Sequence, residues 1–138
     1  MATVIRAEIS EKNKYWIDKH RHYELKHFCL QYDSWKKAYA DLDGFKSQTN
    51  EMSYSQFGIP GDPTNKCVEL RSGYLERINL LERIAYEADP DLASYILRAV
   101  TEGLSFTYLK ARLEIPCSRD MYYDRYRRFF WLLSQARN

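Results

Sequence analysis

At 138 residues the chain is long enough for one domain, or for one domain with an extended arm. Its 45% hydrophobic content can form a core, which excludes a globally disordered chain, and no stretch approaches the roughly 20 apolar residues of a membrane span. The net charge of only +2 does not favour any class of binding partner by itself. The high aromatic content, 15% in a chain with only five Gly, favours helix–helix packing.

Two features of the sequence indicate the cellular compartment of the protein: the cysteine pattern and the composition of the first residues. Cys29, Cys67 and Cys117 are odd in number and far apart, which predicts reduced thiols rather than a disulfide framework. Residues 1–10 lack the apolar run of a signal peptide. We therefore expect a cytoplasmic protein that does not bind a membrane.

Residues 1–42 are predicted to form a long N-terminal amphipathic helix. The stretch Glu11–Leu42 contains no Gly or Pro, and Ser10 is a suitable N-cap. Apolar residues recur at steps of three and four: Leu25, Phe28, Tyr32, Trp35, Tyr39 and Leu42. Because Trp16, Tyr23 and Leu30 form a second apolar face, the helix needs more than one neighbour. The pattern predicts either a homodimer through this helix or tight packing within one chain.

Residues 43–62 are predicted to be a linker, because Gly44, Gly58, Pro60 and Gly61 lie among many small polar residues. A helical domain then spans residues 63–138. Its first helix opens at Asp62-Pro63, and a second start signal occurs at Asp89-Pro90. No segment alternates with the period of two that strands show, so the sequence predicts an all-α protein of five helices.

The last two predicted helices have the layout of a helix-turn-helix, at residues 105–137. Gly103 ends the preceding helix, a short helix starts at Ser105, and a turn after Leu113 leads to a longer helix capped by Ser118. This layout is used to place the second helix in the major groove of DNA.

The distribution of charge agrees with a nucleic-acid partner. From Lys110 onward the chain has seven Lys or Arg and three Asp or Glu, a net charge of +4, whereas the remainder has 14 and 16, a net charge of −2. Arginine can bind guanine or phosphate, and tyrosine can donate a hydrogen bond to phosphate. The predicted DNA-binding residues are Lys110, Arg112, Arg119, Tyr123, Arg127 and Arg128.

Four short motifs resemble a known family: Asp62-Pro63-Thr64, Leu80-Leu81-Glu82-Arg83-Ile84, Tyr95-Ile96-Leu97 and Glu102-Gly103-Leu104-Ser105. With the overall layout, they resemble the RinA and ArpU type of phage transcriptional regulators, whose C-terminal unit is similar to region four of bacterial sigma factors. The resemblance implies a phage or prophage regulator that binds double-stranded DNA, with RNA polymerase as a further expected partner. The chain departs from the family in having Glu114 where the turn usually has Gly, and in a turn one residue longer.

Other functions are less favoured by the sequence. His20, Glu24 and His27 lie near one helical face, but a zinc site would need further ligands, and we predict no metal. There is no Gly-rich phosphate loop and no recognisable catalytic constellation, so we predict neither an enzyme nor a cofactor. The alternative is a phage-encoded adaptor or inhibitor, in which the basic aromatic helix binds a host nucleic-acid enzyme.

Overall fold

A computed structural model describes residues 12–42 and 62–138, and within these ranges the chain is all-helical with no strand. The helices are α1 (Lys19–Cys29), α2 (32–42), α3 (Asp62–Ala88), α4 (Ala93–Glu102), α5 (Phe106–Arg112) and α6 (Arg119–Ala136). The predicted linker lies outside the described residues except for Asp62, where α3 begins. The boundaries at 42 and 63 therefore stay predictions.

The single long N-terminal helix is replaced by two shorter ones. Helix α1 starts only after Asp18, whose carboxylate accepts the backbone N–H of His20 at 3.0 Å, and the predicted cap Ser10 lies outside the described residues. A turn at Leu30 and Gln31 separates α1 from α2, and the backbone N–H of Gln31 donates to the carbonyl of Phe28 at 3.2 Å. Because neither residue is a helix breaker, local sequence gives no signal for this turn.

The described residues fall into two compact units, divided between Gln31 and Tyr32 and again between Leu80 and Leu81. Unit A comprises residues 12–31 and 81–138, so it contains α1, α4, α5, α6 and the end of α3. Unit B comprises residues 32–42 and 62–80.

The core of unit A forms where α1 and α4 pack on α6 and α4 also packs on α5. Its fully buried side chains include Leu25, Leu81, Ile84, Ile96, Leu109, Ile115, Tyr122, Phe129, Phe130 and Leu133. Helix α1 is fixed to the end of α6 by Arg21, which donates to the Ser134 hydroxyl at 3.1 Å and to its carbonyl at 2.9 Å. These contacts cover the inner face of α6 within one chain.

Two aromatic side chains of α6 are covered by residues of the N-terminal region. The ring of Phe130 lies edge-on to the His22 imidazole, with ring centroids 4.8 Å apart. The ring of Trp131 lies 5.7 Å from that of Tyr15. Both covering side chains belong to the same chain, so a homodimer is not required to bury this face.

In unit B, arginines of α3 lie over the aromatic rings of α2. The guanidinium of Arg71 lies 4.1 Å from the centroid of the Tyr39 ring, and that of Arg77 lies 5.8 Å from Trp35. Trp35 is only 5% exposed, in agreement with the predicted apolar stripe of the N-terminal region, whereas Leu70 on α3 is 52% exposed.

All three cysteines are free thiols, as the sequence predicts. Cys29 is fully buried, and this burial raises the pKa of its thiol far above the ordinary range. Because the thiolate is the reactive form, Cys29 is a packing residue rather than a nucleophile.

Candidate functional site

The C-terminal helix pair, α5 and α6, is the candidate site because it carries the basic charge. Both helices begin at the predicted caps. The Ser105 hydroxyl accepts the backbone N–H of Tyr108 at 3.2 Å, and the Ser118 hydroxyl accepts that of Met121 at 3.2 Å. Each cap satisfies a backbone donor that has no partner within its helix.

The connection between these helices, residues 113–118, is held by bonds back to α5. The carbonyl of Leu109 accepts the backbone N–H of Leu113 at 3.1 Å and that of Ile115 at 3.2 Å. The ammonium of Lys110 donates to the carbonyls of Ile115 and Cys117 at 3.3 and 3.4 Å. Lys110 therefore stabilises the turn in addition to presenting its charge.

Glu114 occupies the left-handed region of the connection, with φ of 54°. This is the position at which the resembled family usually has Gly, a residue that adopts positive φ without the steric cost that other side chains meet. The residue type departs from the family pattern, but the backbone conformation is the one that such a Gly would favour.

We expect Glu114→Gly to leave the melting temperature unchanged or to raise it by about 1–3 °C. The reason is that the free energy gained by relief of the left-handed strain slightly exceeds the free energy lost through the greater entropy of the unfolded chain. Glu114→Ile should lower it, because a β-branched side chain is poorly tolerated at positive φ. Thermal unfolding followed by circular dichroism measures both. A melting temperature that falls for Gly and not for Ile would contradict this account of the turn.

An aromatic cluster lies beneath the helix pair. The ring of Phe106 lies 5.4 Å from Tyr122 and 6.4 Å from Tyr123, measured between ring centroids. Leu109 and Ile115 are no more than 1% exposed, so α5 and the connection share the core of α6. This packing fixes the orientation of α6 relative to α5 without a contribution from the charged residues.

Three of the predicted site residues are exposed around the connection: Lys110, Arg112 and Arg119. The guanidinium of Arg119 lies 5.1 Å from the centroid of the Phe106 ring, at a distance typical of a cation–π contact. Glu114 and Asp120 are also exposed there. The surface therefore combines three cations with two carboxylates.

The prediction that Tyr123 faces solvent is wrong. Its side chain is 7% exposed, and its ring contacts those of Phe106, Tyr122 and Tyr126. The buried face of α6 is wider than a single stripe, so it includes Tyr123 beside Tyr122. Tyr123 is consequently removed from the candidate nucleic-acid surface.

Arg127 and Arg128 are half-buried rather than fully exposed. Arg128 donates to the Tyr15 hydroxyl at 3.1 Å and to the carbonyl of Glu87 at 3.5 Å. Its guanidinium thus takes part in the packing of unit A. Arg127 lies on the same helix, and its Nε, which is buried, has no hydrogen-bond partner among the described residues.

A partly buried ion pair on α6 has no signal in the local sequence. Arg125 donates from Nε to Oδ2 of Asp89 at 2.9 Å and also pairs with Asp124. Oδ1 of Asp89 accepts the backbone N–H groups of Asp91 and Leu92 at 2.9 and 3.3 Å. The Asp89-Pro90 start signal predicts the turn. No local pattern predicts that Asp89 pairs with an arginine 36 positions later in the chain.

The histidines of α1 do not form a metal site in this structure. His20 and His27 are exposed, and Glu24 pairs with Arg21 at 3.0 Å. Across residues 12–42 and 62–138, no three His, Cys, Asp or Glu side chains are placed to hold a metal ion. Within the same ranges, no helix has the length and apolarity needed to cross a bilayer.

Comparison of the chain with protein-family models, with curated proteins and with solved structures finds no match.

Proposed function

We propose that the chain is a DNA-binding protein that contacts the phosphate backbone of double-stranded DNA through the C-terminal helix pair. The observation that carries the proposal is the net charge of +4 from Lys110 onward, in a chain whose remainder is net acidic. Phosphate contacts supply most of the non-specific affinity of such proteins, and base contacts supply the sequence preference.

The positions of the exposed cations support this proposal. Arg112 closes α5, Lys110 precedes it on the same helix, and Arg119 opens α6, so all three lie at the end of the pair where the connection runs. In a helix-turn-helix the first turns of the second helix approach the groove. Arg119 is the residue closest to that role here, and Tyr123 has none.

The resemblance to phage transcriptional regulators supports a more specific form of the proposal. In that form the protein is a phage or prophage regulator that recognises a particular DNA sequence, with RNA polymerase as a further partner. The left-handed backbone of Glu114, at the position where the family usually has Gly, is compatible with it.

A protein partner is the second candidate, and a specific observation favours it. Tyr108 on α5 and Met121 on α6 are 42% and 41% exposed, which places apolar side chains on the same two helices as the cations. Aromatic residues, Met and Arg are enriched at protein interfaces. Such a surface would suit an adaptor or inhibitor that binds a host nucleic-acid enzyme.

Salt-dependent DNA binding distinguishes the two candidates. We expect fluorescence anisotropy with a mixed-sequence duplex to show affinity that falls steeply between about 50 and 200 mM salt. Arg112→Ala and Arg119→Ala should weaken binding, and each lost phosphate contact should flatten the slope of log affinity against log salt by about 0.9. The matched control is Arg98→Ala, which removes the same charge from an exposed residue of α4 that pairs with Glu102.

The outcomes are separable. An Arg98→Ala protein that loses as much affinity as Arg112→Ala would mean that only net charge matters. A wild-type protein without salt-dependent DNA binding would overturn the proposal. Capture of a host protein that is lost in Tyr108→Ala and Met121→Ala would then favour the protein-binding candidate.

A further inference from the structure

An aromatic pocket of about 200 Å³ lies within unit A, where α1, α4, α5 and α6 meet. Its walls are mainly apolar and include the aromatic rings of the C-terminal helix pair. The lining includes Lys26 on α1, Ser105 and Phe106 at the start of α5, and Tyr122, Tyr123 and Tyr126 on α6. The volume equals that of about seven water molecules, which suits a molecule with a single ring.

Three tyrosines of α6 contribute hydroxyl groups to this mainly apolar lining. Tyr122 is 1% exposed and Tyr123 is 7% exposed, and both line the pocket together with Tyr126. A mainly apolar pocket with a few polar groups is the usual form of a small-molecule site, in which the polar groups fix the orientation of the ligand.

The tyrosine hydroxyls can act as hydrogen-bond donors. Burial raises the pKa of Tyr122 and that of Tyr126 well above the ordinary value for a phenol, so both stay protonated at neutral pH. The Ser105 hydroxyl accepts the N–H of Tyr108 and can donate its own proton. The polar side chains of the pocket therefore favour a ligand that accepts hydrogen bonds.

The charge of the lining favours an anion. Lys26, half-buried on α1, is the charged residue of the lining. No carboxylate is among the lining residues. An anionic group beside Lys26 would also lie near the hydroxyl groups that can donate hydrogen bonds to it. A cationic group would find no carboxylate in the lining with which to pair.

We propose that this pocket binds a small aromatic carboxylate, with its ring against Phe106 and the tyrosines and its carboxylate toward Lys26 and the tyrosine hydroxyls. Aromatic rings pack favourably edge-on or offset against one another, and a charge-assisted hydrogen bond is about twice as strong as a neutral one. The inference concerns a small-molecule site and does not depend on DNA binding.

Isothermal titration calorimetry with phenylacetate tests the proposal on the full chain, with benzylamine as the cationic counterpart of similar size. We expect phenylacetate to bind at least tenfold more tightly than benzylamine. Lys26→Met should weaken phenylacetate binding at least tenfold, and Tyr123→Phe, which keeps the ring and removes the hydroxyl, should weaken it severalfold. Lys19→Met is the matched control, since Lys19 is exposed on the same helix and does not line the pocket.

Three results would overturn the proposal. The first is no binding of phenylacetate to the wild-type protein. The second is equal affinity for phenylacetate and benzylamine, which would show that the pocket accepts any ring without regard to charge. The third is equal loss of affinity in Lys26→Met and Lys19→Met, which would assign the effect to net charge. Because DNA is absent from the titration, each result leaves the DNA-binding proposal untouched.

Discussion

Phe129→Ala is expected to lower the free energy of unfolding by about 3–5 kcal/mol, the usual range for removal of a buried aromatic ring. Phe129 is 0% exposed, and its ring meets that of Phe130 at a centroid distance of 5.1 Å and an interplanar angle of 90°. The substitution removes both apolar burial and this edge-to-face contact, and the surrounding helices can collapse only in part.

Urea unfolding followed by circular dichroism measures this loss. Tyr108→Ala is the matched control, since it also removes an aromatic ring from the C-terminal helix pair, but from a side chain that is 42% exposed. We expect the control to change the free energy of unfolding by less than about 1 kcal/mol. Equal effects of the two substitutions would mean that α6 does not form the centre of the core.

Asp89→Ala is expected to lower the free energy of unfolding by about 2 kcal/mol. The substitution removes the carboxylate that accepts two backbone N–H groups at the turn before α4, a loss that we place at about 1 kcal/mol by analogy with a helix cap. It also leaves Arg125 without this partner. Because the Arg125 side chain is 33% exposed, solvent screening reduces the contribution of the ion pair, which we place at about 1 kcal/mol.

Three further substitutions separate these contributions. Asp89→Asn keeps an oxygen that can accept the backbone N–H groups and removes the charge, so it should cost less than Asp89→Ala. A double-mutant cycle with Arg125→Met measures the coupling of the pair directly. Asp91→Ala, at an exposed carboxylate in the same turn, should be nearly neutral. A coupling energy of zero in the cycle would show that the Asp89–Arg125 contact does not stabilise the fold.

Local chemistry made several boundaries in the C-terminal half predictable. Gly103 ends α4 with φ of 72°, as expected of a Gly after a helix, and Ser105 and Ser118 cap the next two helices. Each of these features depends on a residue and its immediate neighbours along the chain. The all-helical class was predictable for the same reason, because helical periodicity is a local pattern.

The candidate site was predictable only in part. Arg112 and Arg119 lie at helix ends and are exposed, whereas their predicted contact with DNA stays a prediction. Tyr123 was misplaced because helical spacing identifies the centre of a buried face but not its width. That width depends on what packs against the helix, here Phe106 from α5 and the neighbouring tyrosines.

The sequence by itself determined which segments become helices in the C-terminal half, where three of them start or end, and where the basic charge is concentrated. Only the tertiary structure decided that a turn at Leu30 and Gln31 divides the N-terminal helix, that Asp89 pairs with Arg125, and that Lys26 joins three tyrosines around one pocket. Capping and periodicity act over three or four residues, and the chain encodes them directly. Ion pairs and pockets join residues that are distant in sequence, so they arise only when the helices have packed.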